Sequence, residues 1–290
     1  MGSPSRRGGR GYAAEGSRLL AGWGFAHGLE RIPLLCDVGN VASAGTALSA
    51  GFGLKGVAWQ ELLPPHADGS VRRADLAVFA RLRADDGERI RTQFPPLPDG
   101  ILTDRAIALR PLRREDAAAA EEEAQDAETL RWAFSGTTPG GRRIERRCAT
   151  SALNWLVGSE AGMAIVDVAT ERYAGHLTLR LVGPPQVAGI GYAVHPAFRG
   201  RGYATRELRL ITPWAFGRGR FARLELGATV DNAASRRSAR RAGFQPDGVR
   251  RRRLRNVDGT FADEARFTLL NPASLHAPGT APAAIPTRQL

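Results

Sequence analysis

The chain is almost without lysine. Lys55 stands alone, and every other basic residue among the 41 is arginine, against 29 acidic residues and a formal net charge of +12. With alanine and glycine so abundant, this one-sided use of arginine marks a biased composition. The charge is therefore weak ground for a nucleic-acid partner, and none is expected. Cysteine is scarce as well. Cys36 and Cys148 lie far apart, without metal-ligand spacing and without a disulfide framework, so a reducing compartment and no metal are expected. No apolar run approaches the roughly 20 residues of a membrane helix. Arg6, Arg7 and Arg10 are followed by no apolar stretch, so no secretory leader is expected either. These absences lead to a soluble, cytoplasmic protein with no membrane partner. Hydrophobic residues make up 43% of the 290, enough for a real core in one large or two modest domains.

What is present is an internal repeat. Gly9-Arg10-Gly11-Tyr12-Ala13 recurs as Gly200-Arg201-Gly202-Tyr203-Ala204. In the same order, Arg18-Leu19 answers Arg209-Leu210, Trp23 answers Trp214 and Phe25 answers Phe216. Asn40-Val41-Ala42-Ser43 answers Asn232-Ala233-Ala234-Ser235, and Gly51-Phe52 answers Gly243-Phe244. Asp68-Gly69, Asp75 and Phe79 answer Asp258-Gly259, Asp263 and Phe267. About a hundred residues of a complete unit precede the second glycine loop, but only Met1 to Gly8 precede the first. Residues 1–93 are thus expected to be the C-terminal half of a unit, with a misassigned start codon as the alternative. Residues 94–100, Phe-Pro-Pro-Leu-Pro-Asp-Gly, read as a stiff linker. Residues 101–271 read as the complete unit, and 272–290, rich in Ala and Pro, as a disordered tail.

Within the complete unit, strands are expected at Ile107–Arg110, Met163–Asp167, His176–Leu181, Val187–Val194, Leu224–Val230, Val249–Arg255 and Ala265–Leu270. Helices are expected from Arg114 to Phe134, with Asp116 as a cap, and from Arg142 to Leu156. Two more follow, from the glycine loop to Phe216 and from Ser235 to Ala242, the last stopped by Gly243. The result is an α/β unit with one sheet.

The loop Arg199-Gly200-Arg201-Gly202-Tyr203-Ala204 lies between a strand and a helix. Glycines there let backbone N–H groups converge at a helix N-terminus, where they hold a diphosphate. A tight turn without ligand is the bland alternative. A dinucleotide fingerprint fits less well, since Thr205 stands where its third glycine belongs.

Arg199-x-x-Gly202-x-Ala204 resembles the acetyl-CoA pyrophosphate loop of the GNAT superfamily of acetyltransferases. Gly191-Tyr192-Ala193-Val194-His195-Pro196 resembles the strand before it, and Asn232-x-x-Ser235 with Gly243-Phe244 the helix and turn after it. Leu109-Arg110-Pro111-Leu112 with Glu115-Asp116, and the closing Asp258-Gly259, Asp263 and Leu269-Leu270, resemble the ribosomal-protein N-terminal acetyltransferase (RimJ/RimL-type) branch. The resemblance covers about 170 residues in order and implies a central mixed, mostly antiparallel sheet flanked by helices, with acetyl-CoA as acyl donor. It implies that backbone N–H groups of Arg201, Gly202, Tyr203 and Ala204 bind the pyrophosphate. A bulge near Tyr192–Val194 would part the strand from its neighbour, so that Ala193 or Val194 backbone meets the thioester and pantetheine. Asn232 would contact the pantetheine arm and Ser235 would sit near the sulfur.

A thioester is already activated, so an amine attacks it directly once neutral, and α-amino groups lose their proton near pH 8 against about 10.4 for lysine. Ser235 is the candidate general acid, against its reading as an ordinary first-turn helix serine. Departures from the family matter. Ala239 stands where many members carry a tyrosine acid. Gly189 and Ile190 stand where a glutamate often precedes Gly-Tyr. The base is therefore unassigned; His176 is a candidate set against a simply packed strand histidine, and His195 reads as a loop residue. Arg236, Arg237, Arg240 and Arg241 share a helix face near which a 3′-phosphate would lie, or are merely solvated. Arg250 to Arg253 should alternate between faces of a strand.

The first copy keeps Gly11, Ala13, Asn40 and Ser43, but has Gly8 for the loop arginine and Ala44, Gly45, Leu48 and Ser49 for the helix arginines. It is expected to bind no cofactor unaided and to pack its sheet edge and apolar helix on the complete unit. The functional expectation is acetyl transfer to a primary amine, of a small molecule or a protein N-terminus. The alternative is a non-catalytic module that senses acyl-CoA or docks on ribosomal RNA. Neither acceptor nor oligomeric state is legible.

Overall fold

Short apolar alternations separated by glycine and proline make this a chain of strands, with helices where alanine and leucine recur at helical spacing. The computed structural model describes residues 11–63, 72–133 and 140–276. The first stretch runs α1 (Tyr12–Ala26), β1 (Arg31–Asp37), α2 (Val41–Ser49), β2 (Gly53–Leu62) and β3 (Arg73–Leu82). β1, β3 and β2 lie in that order as one antiparallel three-stranded sheet. Then come β4 (Leu102–Thr103), β5 (Ile107–Pro111), α3 (Ala117–Gln125), α4 (Ala127–Trp132), α5 (Gly141–Val157), β6 (Ala161–Asp167), β7 (Tyr173–Leu181) and β8 (Val187–Val194). The chain closes with α6 (Tyr203–Phe216), β9 (Arg223–Thr229), α7 (Ala233–Arg241), β10 (Gln245–Arg255) and β11 (Phe261–Leu270). These strands form one sheet in the order β10-β11-β9-β8-β7-β6-β5-β4. Every pair is antiparallel except β8–β9, which is parallel and joined through α6.

The core sits where both faces of this sheet are covered. Ile107, Leu109, Met163, Ile165, Leu177 and Leu179 meet Leu208, Ile211 and Trp214 of α6. α5 buries Ile144, Cys148, Ser151 and Trp155 along one face, as spacings of three and four residues dictate. Gly158 at φ +78° ends it. Burial pushes the Cys148 thiol up to about 11, which makes it an inert core residue.

The two halves share local detail. Gly11 and Gly202 begin their helices at φ +75° and +77°. Asn40 accepts from Ser43 N at 3.0 Å and Asn232 from Ser235 N at 2.9 Å. Arg18 donates to Ser49 O, and Arg209 to Arg241 O. Gln60 and Arg252 both have positive φ, and their amides donate to Asp75 and Asp263.

The structure corrects several expectations. The expected helix from Arg114 to Phe134 is broken at Asp126, whose backbone is extended (ψ 135°) while its carboxylate caps α4 through Thr129 N. Phe134 lies outside the described residues. Asp116 does not cap α3; its carboxylate accepts from Arg113 N and from both terminal nitrogens of Arg110. The expected linker 94–100 is part of the core. Phe94 and Leu97 are buried, and Pro95 and Pro96 carbonyls accept from the Trp155 and Trp214 indoles. Proline stiffens such a segment but does not keep it in solvent. α2 does pack on the larger unit, against Leu153 of α5, whereas the edge of the small sheet joins no strand of the large one. Alternation along Arg250–Arg253 is interrupted by a register shift and by φ +49° at Arg252. Pro272–His276 is a 3-10 turn, and the rest of the expected tail lies outside the described residues, as do Gly8, Asp68 and Gly69. Among the described residues no helix is long and apolar enough to cross a membrane.

Candidate active site

β8 and β9 pair only from Val187↔Arg223 to Ile190↔Leu226. Beyond Ile190 the two strands part, leaving Gly191–Val194 paired to β7 alone. No bulge in β8 causes this: its register with β7 is unbroken from Ala188 to Val194, which corrects the expected bulge at Tyr192–Val194. Both strands continue past that point, β8 to Val194 beside β7 and β9 to Thr229 beside β11, before β8 leads to the glycine loop and β9 to α7. A cavity of about 1160 Å³ fills the gap, bounded by that loop and α7 on one side and by α3, α4 and α5 on the other.

At its mouth Gly200 and Gly202 adopt φ +76° and +77°, backbone that other residues enter only at a cost of about 1–2 kcal/mol. A β-carbon on either would meet nothing within 4 Å. The amides from Gly200 to Ala204 donate to no backbone carbonyl, the first such bonds being those of Thr205 and Arg206 to Gly202 O. Free N–H groups at the start of a 14-residue helix suit a diphosphate, so the loop fits the pyrophosphate of a coenzyme A ester. Arg237 and Arg241 of α7 line the same cavity; Arg236 instead turns back to Val230 O.

Two loop arginines do other work. Arg199 Nη2 binds Asp126 Oδ2 at 2.5 Å and Thr129 Oγ1 at 2.8 Å, and its Nε reaches Val194 O. It ties the loop to α4 and holds the Asp126 carboxyl below its ordinary range. The Arg201 guanidinium lies over Phe198 and donates to Ala197 O. The Tyr203 hydroxyl donates to Asp167, anchoring α6 to β6. His195 is a buried loop residue that accepts from Ala197 N.

Ser235 lines the cavity with its hydroxyl 2.9 Å from that of Tyr192. Burial pushes the Tyr192 phenol up to about 12. Asn232 spends its side-chain oxygen on capping α7, which leaves its amide nitrogen for the cavity it lines. Near Tyr192 lies Glu207, fully buried with neither carboxylate oxygen bonded. Burial, then Glu123, raises its carboxyl well above the ordinary value, which favours the neutral acid.

The far wall holds a cluster that the sequence reading did not assemble. Glu123 of α3 is 1% exposed. It accepts from the Tyr173 hydroxyl at 2.7 Å, and its other oxygen lies 2.9 Å from His176 Nδ1. Burial raises this carboxyl, but His176, Tyr173 and Arg147 together outweigh it and the net direction is down. His176 and Thr178 line the cavity from β7, and Glu264 of β11 lines it beside Gly227. Glu207 was missed as well, although helical period could have found it, since Tyr203, Glu207, Ile211 and Trp214 share one helix face. Period could not have found Glu123, because alanines on every side of α3 blur its apolar face.

A mixed sheet that parts at its single parallel pair, with an amide-lined loop at the opening, is the GNAT fold. Residues 106–245 match the family model of the acetyltransferase (GNAT) domain. Probable N-acetyltransferase YjcK of Bacillus subtilis (strain 168) is 30% identical over 115 residues, 39% of this chain and 63% of that protein. The chain therefore matches less than two thirds of that relative's length. Among solved structures, Mycobacterium smegmatis RimJ in complex with CoA-disulfide aligns with TM-score 0.53 and 23% identity, over 61% of this chain and 88% of that one. RimL, a ribosomal L7/L12 alpha-N-protein acetyltransferase in complex with coenzyme A, aligns with TM-score 0.54 and 20% identity, over 60% and 99%. At such identities these two structures bear on the fold.

Proposed function

We propose that residues 101–271 form an N-acetyltransferase that moves an acetyl group from acetyl-CoA to a primary amine by direct attack. The observation that carries this is the continuous cavity joining the unbonded loop amides to the end of β8 where β9 has departed. Bound acetyl-CoA would supply an acyl carbon already activated as a thioester. Amides of Arg201, Gly202, Tyr203 and Ala204 hold the pyrophosphate, and backbone of Ala193 or Val194 hydrogen-bonds the pantetheine and polarises the carbonyl. Asn232 meets the pantetheine arm. Ser235, hydrogen-bonded to Tyr192, returns a proton to the sulfur. A protein α-amino group is the acceptor class we favour. It is neutral at lower pH than lysine, and the name of one solved relative specifies α-amino acetylation.

Residues 1–93 we read as a partial second copy that binds no acetyl-CoA unaided. In support, β1 lies at the edge of its sheet, and among the described residues no strand takes the place that β8 has beside β9. Ile90 and Leu156 also line the hollow at Gly11.

Calorimetry with coenzyme A and thiol release from acetyl-CoA, with short peptides of free Ala, Ser or Thr N-termini and a panel of simple amines, test the proposal. Binding with acceptor-dependent thiol release is expected. No heat of binding, unchanged by substitution at Gly202, overturns it.

A further inference from the structure

We infer that His176, held by Glu123, is the group that takes the proton from the attacking amine. The inference rests on the acetyl-transfer reading and supplies the base that the sequence leaves unassigned.

Place comes first. His176 on β7 stands directly opposite Ala193 on β8, and facing residues of an antiparallel pair lie about 4.5–5.5 Å apart at Cα. The imidazole thus starts one strand spacing from the backbone that would meet the thioester. Orientation comes next. Glu123 is fixed on one oxygen by Tyr173 and on the other holds His176 Nδ1. That leaves Nε2 as the ring nitrogen for exchange with the cavity. A buried carboxylate on the remote nitrogen also stabilises the imidazolium that forms when the proton arrives. Access is the third point: the His176 side chain is 21% exposed and lines the cavity together with Ala193 and Ser235.

Most other acids and phenols of the cavity are hydrogen-bonded or ion-paired. Glu128 accepts from Trp132 Nε1, Glu160 is paired with Arg180 and Arg147, Tyr192 is bonded to Ser235 and Tyr203 to Asp167. Glu264 lies beside Gly227 with Arg250 3.8 Å away and its Oε2 without a hydrogen bond, but on β11, not opposite Ala193 as His176 is. Glu123 from α3 is the charged group in contact with His176, and Glu123 is itself acted on by Tyr173 from β7 and Arg147 from α5.

The sheet keeps the two proton transfers apart. Residues paired across β7 and β8 share a face, and neighbours along a strand take opposite faces. His176 and Ala193 share one face, and Tyr192, bonded to Ser235, is on the other. The ammonium of the acceptor first loses a proton to solvent through His176. Its nitrogen lone pair then forms the N–C bond as the C–S bond breaks. The second amine proton goes to His176 Nε2, and the sulfur takes one from Ser235, which regains it through Tyr192 and water. The sum is amine plus thioester giving amide plus thiol.

The test uses the full chain. His176→Ala is expected to lower kcat for a peptide α-amine on the order of 100-fold, with coenzyme A affinity by calorimetry within about twofold, or about 0.4 kcal/mol. Imidazole should restore part of the variant's rate and leave the wild type unchanged. The loss should shrink for a hydrazide acceptor, which is neutral at the assay pH. Glu123→Gln should reduce kcat less, because the imidazole remains but is no longer fixed. His176→Gln, closer in size, guards against a packing defect and should resemble His176→Ala. A kcat close to wild type in both His176 variants, or a loss that imidazole and acceptor basicity leave untouched, overturns the role of His176 alone. A wild type that binds coenzyme A yet releases no thiol with any amine overturns acetyl transfer and the base together.

Discussion

Trp23 and Trp214 stand at the same point of two stretches that each run helix, strand, helix, strand, strand, yet 63% of Trp23 is exposed against 4% of Trp214. The caps, bulges and backbone angles of the two stretches agree, because those depend on neighbours a few residues away. Burial differs, because it depends on what is packed across the helix. Over α6 lies the sheet from β4 to β8; among the described residues α1 has no such cover, so Tyr12, Leu19, Leu20 and Trp23 face outward. Similar local sequence is therefore worth a core in one place and a surface in the other.

Substitutions made in pairs sharpen that contrast. The largest difference is expected at the tryptophans. Trp214→Ala removes a buried indole bonded to Pro96 O and should cost about 3–5 kcal/mol in urea unfolding. Trp23→Ala should stay within about 0.5 kcal/mol; equal costs would mean that α1 is covered in solution. Next come the loop glycines. Gly202→Val should weaken coenzyme A binding about 10- to 100-fold, since hydrogen bonds to a charged group contribute about 1.5–3 kcal/mol. Gly11→Val should leave that affinity alone, and both should lose about 1–2 kcal/mol of stability from the left-handed backbone.

A smaller effect separates Glu207 from Gly16, its counterpart in the first stretch. Glu207 is raised in the folded state by burial. Its favourable contribution is thus complete below the ordinary carboxyl range and is lost as pH rises toward its folded value. Glu207→Gln should gain melting temperature relative to wild type between pH 5 and 8, about 1–2 kcal/mol at the upper end. A difference flat with pH would mean that the acid is solvated. The smallest contrast is an expected equality: Asn40→Ala and Asn232→Ala, measured without ligand, should each cost about 1 kcal/mol for a lost cap.

Legibility followed range of interaction. Val187–Val194 is the strand the sequence predicts, because alternation and the His195-Pro196 stop are local. The left-handed Gly243 that stops α7 was equally plain; the cap at Asn232 was not, since the sequence places the helix start at Ser235. Asp126 was missed as a helix break because an acid inside an Ala/Glu run carries no period of its own; Thr129 and Arg199, the latter 73 residues on, give it its cap and ion pair. Phe94 and Leu97 looked like linker because proline dominates their neighbourhood, whereas two indoles from distant helices hold that segment in the core.

By itself the sequence determined the order of the main strands of the larger unit, the glycine loop and the helix that follows it, since each rests on backbone angles and side-chain periods within a few residues. Tertiary structure alone decided where β8 and β9 part, which of two similar helices is buried, and that Glu123 and His176, 53 positions apart, meet. Those outcomes come from packing between segments far apart along the chain, and no local pattern encodes which distant neighbour a side chain will face.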